Sequence, residues 1–276
     1  MQILSSDTPV SVSDRAFNYG DGVFSTLLVE NGKAQLLSYH INRLVHDANA
    51  IGVHVDSAPL EQAIIREISS VDDKRVFKVH ISSGVGGRGY ARDTANLVNV
   101  RFSFHVYPTH YRALTQRGMS LICAETNLAI QPRLAGVKHM NRLEQVLVKQ
   151  EVDAHNADDA VVCDTQDNIV ESSAGNLFFY LNGCWHTPSL KGSGVNGVVR
   201  QCLIQALFNE NHPLNVGEYS LEQLKQAQAI VVTNALMGVM PVKSVVYPDT
   251  QVVEYTLDSM PQRHLSNLLH QQIKSE

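Results

Sequence analysis

The sequence predicts a mixed α+β protein, with α/β character, built as two domains. Three observations carry this reading. Strand-like apolar runs and stretches of helical periodicity interleave along the whole chain. At 276 residues the chain is long enough for one large or two medium domains, each able to bury its own core. The pattern pauses once, at Pro108 in YPTHYRAL, and restarts with MSLICAET, which sets a smaller α+β domain over 1–108 and a larger one over 109–276.

In the first domain, VFSTLLVENGKAQLLS is two β-like runs around Asn31-Gly32, a hairpin signal. SYHINRLVHDANAIGV places Ile41, Leu44, Val45 and Ala48 on one helical face, with Gly52 as the stop. LEQAIIREISSV is a second helix, and RVFKVHISSG and NVRFSFHVYP are strands flanking a glycine-rich loop. In the second domain Asn141 reads as the cap of a helix, with Glu144 three residues on and Leu143, Val146 and Leu147 at helical spacing. The strands DAVVCDT, NIVES and NLFFYLNG follow, then the helix GVVRQCLIQALF, the segment LEQLKQAQ, the strand AIVVTNA and a C-terminal helix.

Composition narrows the function classes. With 44% hydrophobic and 18% charged residues and a net charge of -5, the chain has the profile of a globular protein without a basic footprint for nucleic acid or anionic membrane. No apolar run approaches the ~20 residues of a membrane span, and MQILSSDTPVSVSDRA lacks a basic and apolar leader, so a cytoplasmic protein is expected. Four scattered cysteines read as free thiols, and twelve dispersed histidines form no H-E-x-x-H or H-x-H pattern, so no metal site is expected.

Two stretches fit G-x-G-x-x-G. The run from Gly84 to Gly89 leads into another strand, so the dinucleotide reading fails for want of a helix N-terminus. Its Arg88 and Tyr90 are placed to reach over a site and bind a carboxylate. The run from Gly192 to Gly197 does open a helix, and is either a plain turn or a cradle for a phosphate monoester. Two further residues stand out. Lys138 sits between a glycine turn and a helix, where neither propensity nor amphipathicity asks for lysine. Glu171 ends an apolar strand and leads into Ser172, Ser173, Ala174 and Gly175. An amine, a carboxylate beside small residues and an anion cradle are the parts that pyridoxal phosphate requires.

At these residues the chain resembles the fold-type IV pyridoxal-phosphate enzymes, the family of branched-chain and D-amino-acid aminotransferases. Within it, GGRGY, AGVKHMNRLEQVL and the threonine of FSTL are similar to the aminodeoxychorismate lyases. The resemblance implies pyridoxal 5'-phosphate as cofactor, Lys138 as its Schiff-base lysine and Glu171 as the partner of its ring nitrogen. It implies a phosphate site made of Arg43, the backbone of Val198 and Val199, and the turn at Asn234 and Ala235, with Asn176 near the cofactor. Thr26 stands where aminotransferases carry other residues and is implied in proton delivery beside Lys138, while Ser25 faces the other way. Arg88, Tyr90 and Tyr107 are the implied binders of the substrate, 4-amino-4-deoxychorismate, which would yield 4-aminobenzoate and pyruvate. A homodimer is implied too, and the alternative within the family is a D- or branched-chain aminotransferase.

Overall fold

A computed structural model describes residues 1–5, 7–93, 97–257 and 259–276. Residues 94–96, part of the stretch read as running from the glycine loop into the next strand, lie outside the described residues. The chain divides into two compact units, Met1–Tyr107 with Val137–Arg142, and Pro108–Gly136 with Leu143–Glu276. The division drawn at 108/109 therefore needs a correction. It assigns 137–142, with Lys138, to the second domain, whereas this segment packs with the first.

The first unit contains β1 (Gln2–Leu4), α1 (Arg15–Tyr19), β2 (Gly22–Glu30), β3 (Lys33–Ala34), α2 (Leu37–Ala50), α3 (Ser57–Ile68), β4 (Arg75–Ser82) and β5 (Asn99–Val106). Its sheet runs β1-β5-β4-β2-β3. Asn31 and Gly32 both take positive φ, 52° and 70°, which suits the tight turn joining β2 to β3. Alternation along β2 and β4 divides the sheet faces. Val23, Leu27, Val29, Phe77, Val79 and Ile81 pack in one core with apolar residues of α2 and α3. Phe24 and Thr26, in register with His80 and Lys78, occupy the other face.

Because β3 pairs only with the far end of β2, the Gly22–Phe24 edge is open to another segment. Residues 138–140 fill it: Phe24 N donates to Lys138 O at 3.1 Å, Met140 N donates to Gly22 O at 2.9 Å, and Val23 bridges His139. Lys138 is thus backbone-bonded to the sheet edge.

The second unit contains α4 (Tyr111–Arg117), β6 (Met119–Cys123), α5 (Leu143–Ala154), β7 (Asp159–Cys163), β8 (Ile169–Ser172), β9 (Asn176–Leu181) and β10 (Cys184–Pro188). It continues with α6 (Val198–Asn209), β11 (Leu214–Gly217), α7 (Leu221–Lys225), β12 (Ala229–Asn234), β13 (Gly238–Val246), β14 (Val252–Glu254) and α8 (Met260–Ser275). The sheet order is β11-β10-β9-β12-β13-β6-β7-β8, with β14 on β13. Leu121, Val161, Phe179 and Val232 build one core, while Ile122, Val148, Val152 and Val162 build another.

Three expectations from sequence change. Helix α5 starts at Leu143, and the Asn141 amide donates instead to Gly20 O at 3.1 Å, so Asn141 is a loop tie and not a cap. Glu144 accepts from Ala129 N, and the buried positions of α5 are Val148 and Val152, leaving Leu143 71% exposed with Val146 and Leu147 also at the surface. The central strand β13 has no counterpart in the sequence reading. Pro241 breaks its pattern, and the register slips between Val242 and Ser244.

Candidate active site

In the first unit, Lys138 is fixed from three sides. Its backbone N–H donates to Asp47 Oδ2 at 2.9 Å, and Asp47 is itself buried in α2. Arg142 closes the segment by donating to the carbonyls of His139 and Val137, both at 2.8 Å. The Lys138 ammonium lies 4.6 Å from the centroid of the Phe24 ring. Phe24 and Thr26 share a strand face, so the Lys138 amine and the half-buried Thr26 hydroxyl belong to one side of the sheet. The neighbouring His139 is pushed down to about 4 by burial, then by Arg142 and Lys138, and stays neutral at pH 7.

Ser25 does point the other way, and it is occupied there. Arg43 Nη2 donates to Ser25 Oγ at 2.6 Å, so the serine proton is left for His40 Nδ1, also at 2.6 Å. His40 is fully buried, and burial followed by the Arg43 and Lys138 charges holds it well below the usual imidazole range. A neutral His40 that accepts at Nδ1 carries its proton on Nε2. Burial lowers Arg43 to about 10, against the attraction of Asp47, and its Nε has no hydrogen-bond partner among the described residues.

The glycine loop from Gly84 to Gly89 lies beyond the Gly22–Ser82 end of the sheet, the end that Lys138 edges. Arg15, buried in α1, holds it: Nη1 donates to the carbonyls of Gly86, Gly89 and Ala91 and Nη2 to that of Tyr90, at 2.9–3.4 Å. Asp21 binds Arg15 Nε at 2.8 Å, Ser83 Oγ at 2.7 Å and Arg92. Arg88 and Tyr90 are exposed on this loop, Tyr90 resting against the Tyr19 ring. Tyr107 is elsewhere. It follows Val106 and is level with Glu30, six positions along β2 from Phe24, roughly 20 Å at about 3.4 Å per residue. Within one chain the structure does not bring Tyr107 to Lys138, so a role at the substrate would have to be played across the interface of the implied homodimer.

In the second unit, Glu171 is buried at the end of β8, and its Oε2 accepts from Val195 N at 2.8 Å. Asn176 clamps the same loop, donating to Val195 O at 2.8 Å and accepting from Gly197 N at 3.2 Å. A Cβ on Gly197 would stand 2.2 Å from Asn176 Oδ1, so any larger residue there must displace the asparagine or the helix start. Val198 and Val199 form the first turn of α6, whose Gly197 cap supplies no side-chain hydrogen bond to its amides. Arg200 ties this turn down through Asn196 Oδ1 and Pro188 O, and burial lowers it to about 10 although Glu171 pulls it up. The small residues after Glu171 form a tight turn, Ser172 N donating to Gly175 O at 2.7 Å. Asn234 spends its side chain on two turns, Oδ1 accepting from Leu236 and Met237 N at 2.9 Å and Nδ2 donating to Ala174 O at 3.1 Å, so beside Ala235 it offers its backbone.

Lys138, Thr26, Arg43, Arg88 and Tyr90 thus belong to the first unit, and Glu171, Asn176, Val198, Val199, Asn234 and Ala235 to the second. Four residues escaped the sequence reading: Asp47, His40, Lys78 and His80. The last two share the face of Thr26 and Phe24, with the His80 and Phe24 rings stacked at 6.0 Å. Their alternation in RVFKVHIS was the available signal.

The description "Amino-transferase class IV" fits residues 22–245. The chain belongs to the class IV aminotransferase family. It is 34% identical over 263 residues to an aminodeoxychorismate lyase of Vibrio harveyi, covering 95% of this chain and 96% of that one. The crystal structure of 4-amino-4-deoxychorismate lyase from Pseudomonas aeruginosa superposes with a TM-score of 0.89 at 31% identity, covering 96% of this chain and 95% of that one. A hypothetical aminotransferase from Mycobacterium tuberculosis in its PLP-bound form shares the fold, with a TM-score of 0.81 at 20% identity and coverage of 99% and 96%.

Membership in the class IV family implies pyridoxal 5'-phosphate, and the residues fit it. Within the first unit the buried Nε of Arg43, without a hydrogen-bond partner among the described residues, suits an anion, and within the second unit so do the α6 amides that follow Gly197. The buried carboxylate of Glu171, with one oxygen committed to Val195 N and a buried arginine nearby, suits a protonated ring nitrogen.

Proposed function

We propose that this class IV protein is a pyridoxal-phosphate lyase that converts 4-amino-4-deoxychorismate to 4-aminobenzoate and pyruvate. The observation that carries the proposal is Thr26: it shares a strand face with Phe24, against whose ring the Lys138 amine rests. This puts a hydroxyl and an amine on one side of the sheet, as an elimination that both removes and delivers a proton requires.

Lys138 carries the cofactor. When bound, the cofactor supplies a ring that draws electrons from the carbon losing its proton. Lys138 Nζ takes that proton from the substrate carbon bearing the amino group, and Thr26 Oγ1 hands a proton to the departing enolpyruvyl group. Glu171 holds the ring nitrogen. Arg43, the amides of Val198 and Val199, and the backbone at Asn234 and Ala235 hold the phosphate, while Asn176 keeps their loop in shape. Arg88 and Tyr90 on the clamped loop, with Lys78 on the Thr26 face, meet the substrate's carboxylates.

The chain acts as a homodimer in the cytoplasm. The apolar surface of α5 at Leu143, Val146 and Leu147 supports the pairing, and the four free thiols suit a reducing compartment.

The deciding experiment supplies 4-amino-4-deoxychorismate to purified holoenzyme and follows 4-aminobenzoate and pyruvate together. Equal amounts of both are expected, with K138A inactive and lacking the absorbance of lysine-bound cofactor. Amino transfer from D- or branched-chain amino acids, with neither product formed, would replace the lyase by an aminotransferase.

A further inference from the structure

We infer that Glu210, His212 and His264 form a binding site for a divalent transition-metal ion, zinc by preference, that straps the end of α6 to α8. Each residue offers one ligand atom, and the three atoms lie within 4.8 Å of one another. Glu210 Oε2 is 3.0 Å from His264 Nε2 and 3.7 Å from His212 Nε2. Ligands bound to tetrahedral zinc at about 2.0–2.1 Å stand about 3.3 Å apart, so these separations bracket the required edge. The two imidazole rings are themselves neighbours, with centroids 4.3 Å apart. Two protonated rings at that distance would repel, whereas two neutral rings and a carboxylate are a donor set for zinc, copper or nickel and a poor one for magnesium or calcium.

The scaffold beneath the three ligands is firm. Helix α6 ends with Glu210 N bonded to Ala206 O, and Asn211 then takes a left-handed φ of 56°. That turn folds His212 back over the helix end, where its N–H donates to Leu207 O at 2.9 Å. His264 projects from α8 one residue before the buried Leu265, and α6 packs on α8. All three side chains retain solvent access, which leaves a coordination position for water. The site is distinct from the proposed phosphate cradle, which lies at the other end of α6, about 17 Å away at 1.5 Å per residue. Glu210-x-His212 and His264 are 52 residues apart in sequence and match no helical metal motif.

The test titrates zinc chloride into chelator-treated holoenzyme by calorimetry, with magnesium chloride as the control, and repeats it on H212A/H264A and on E210Q. One zinc per chain, a raised unfolding temperature and no response to magnesium are expected, with unchanged cofactor absorbance in both variants as the folding control. Loss of a ligand should weaken zinc binding by at least about tenfold. Wild-type affinity in E210Q and in the double variant would overturn the site in favour of zinc on cysteines, and absence of binding to the unaltered chain at about 100 μM zinc, about 5.5 kcal/mol of affinity, would overturn it outright. If the double variant does not fold, E210Q alone decides.

Discussion

The backbone N–H of Lys138 donates to Asp47 Oδ2 at 2.9 Å, across 91 residues of sequence. The carboxylate sits in a helix that is anchored by Leu44 and Ala48 in the core of the first unit, so the helix dictates where the lysine segment lies against β2. D47A leaves a buried donor unpaired, which costs about 1–3 kcal/mol. Urea unfolding should report that loss, together with a fall in lysine-bound cofactor absorbance at equal protein. D47N, which keeps an acceptor oxygen, should recover most of both. Equal stability of D47A and the unaltered chain would remove Asp47 as the positioning residue.

Glu171 separates two roles that one carboxylate performs. One oxygen accepts from Val195 N at 2.8 Å, a structural task that a glutamine oxygen also meets. The negative charge is the part proposed to meet the ring nitrogen. E171Q should therefore fold, keep its 192–197 loop and retain cofactor, while kcat falls by about a hundredfold or more, as loss of a preorganised electrostatic partner does. E171A should lose cofactor as well. A glutamine variant with undiminished kcat would leave Glu171 only its bond to the loop.

Local signals account for what could be read in advance. Lys138 was conspicuous because a lone lysine follows the Gly136 turn, and Gly136 takes φ 80°. The Gly197 helix start and the Asn31-Gly32 turn are short-range features of the same kind. What escaped is long-range. Asp47, His40 and Lys78 acquire their neighbours from packing and from strand register, which no window of sequence contains. Asn141 shows the converse failure: a residue with good capping chemistry was drawn to Gly20 O, and the helix began two positions later. Leu143, Val146 and Leu147 kept their helical spacing yet face outward, because periodicity says that a stripe exists and not what covers it.

The Arg15–Asp21 clamp carries an acid limb of stability. Burial raises Asp21, but the hydrogen bonds from Arg92, Ser83 and Arg15 outweigh it and lower its pKa from 3.8 to about 2. The unfolded chain thus binds the Asp21 proton first, and the contribution is complete above pH ~4 and lost as pH falls towards 2. It is worth on the order of 1–2 kcal/mol. Unfolding midpoints between pH 2 and 5 should show this slope in the unaltered chain and a flatter one in D21N. R15A, which strips four loop carbonyls of their donor, should raise KM for the substrate more than it lowers kcat, because Arg88 rides on that loop. A change confined to kcat would separate the loop from substrate binding.

Gly197 and Asn176 offer a test of the phosphate cradle that leaves every charged group in place. A methyl group on Gly197 meets Asn176 Oδ1 at 2.2 Å, too close for any real contact, and the oxygen is already held by Gly197 N. G197A must push the asparagine or the first turn of α6 aside, and either movement turns the Val198 and Val199 amides away from the anion they are proposed to hold. Cofactor affinity, read from absorbance on titration with pyridoxal phosphate, should fall by about tenfold or more, the 1.4 kcal/mol of one charge-assisted hydrogen bond. N176A removes the obstructing oxygen, so G197A/N176A should bind more tightly than G197A alone even though it carries one more lesion. Additive losses in the double variant would mean that the glycine serves the backbone rather than the gap beside Asn176.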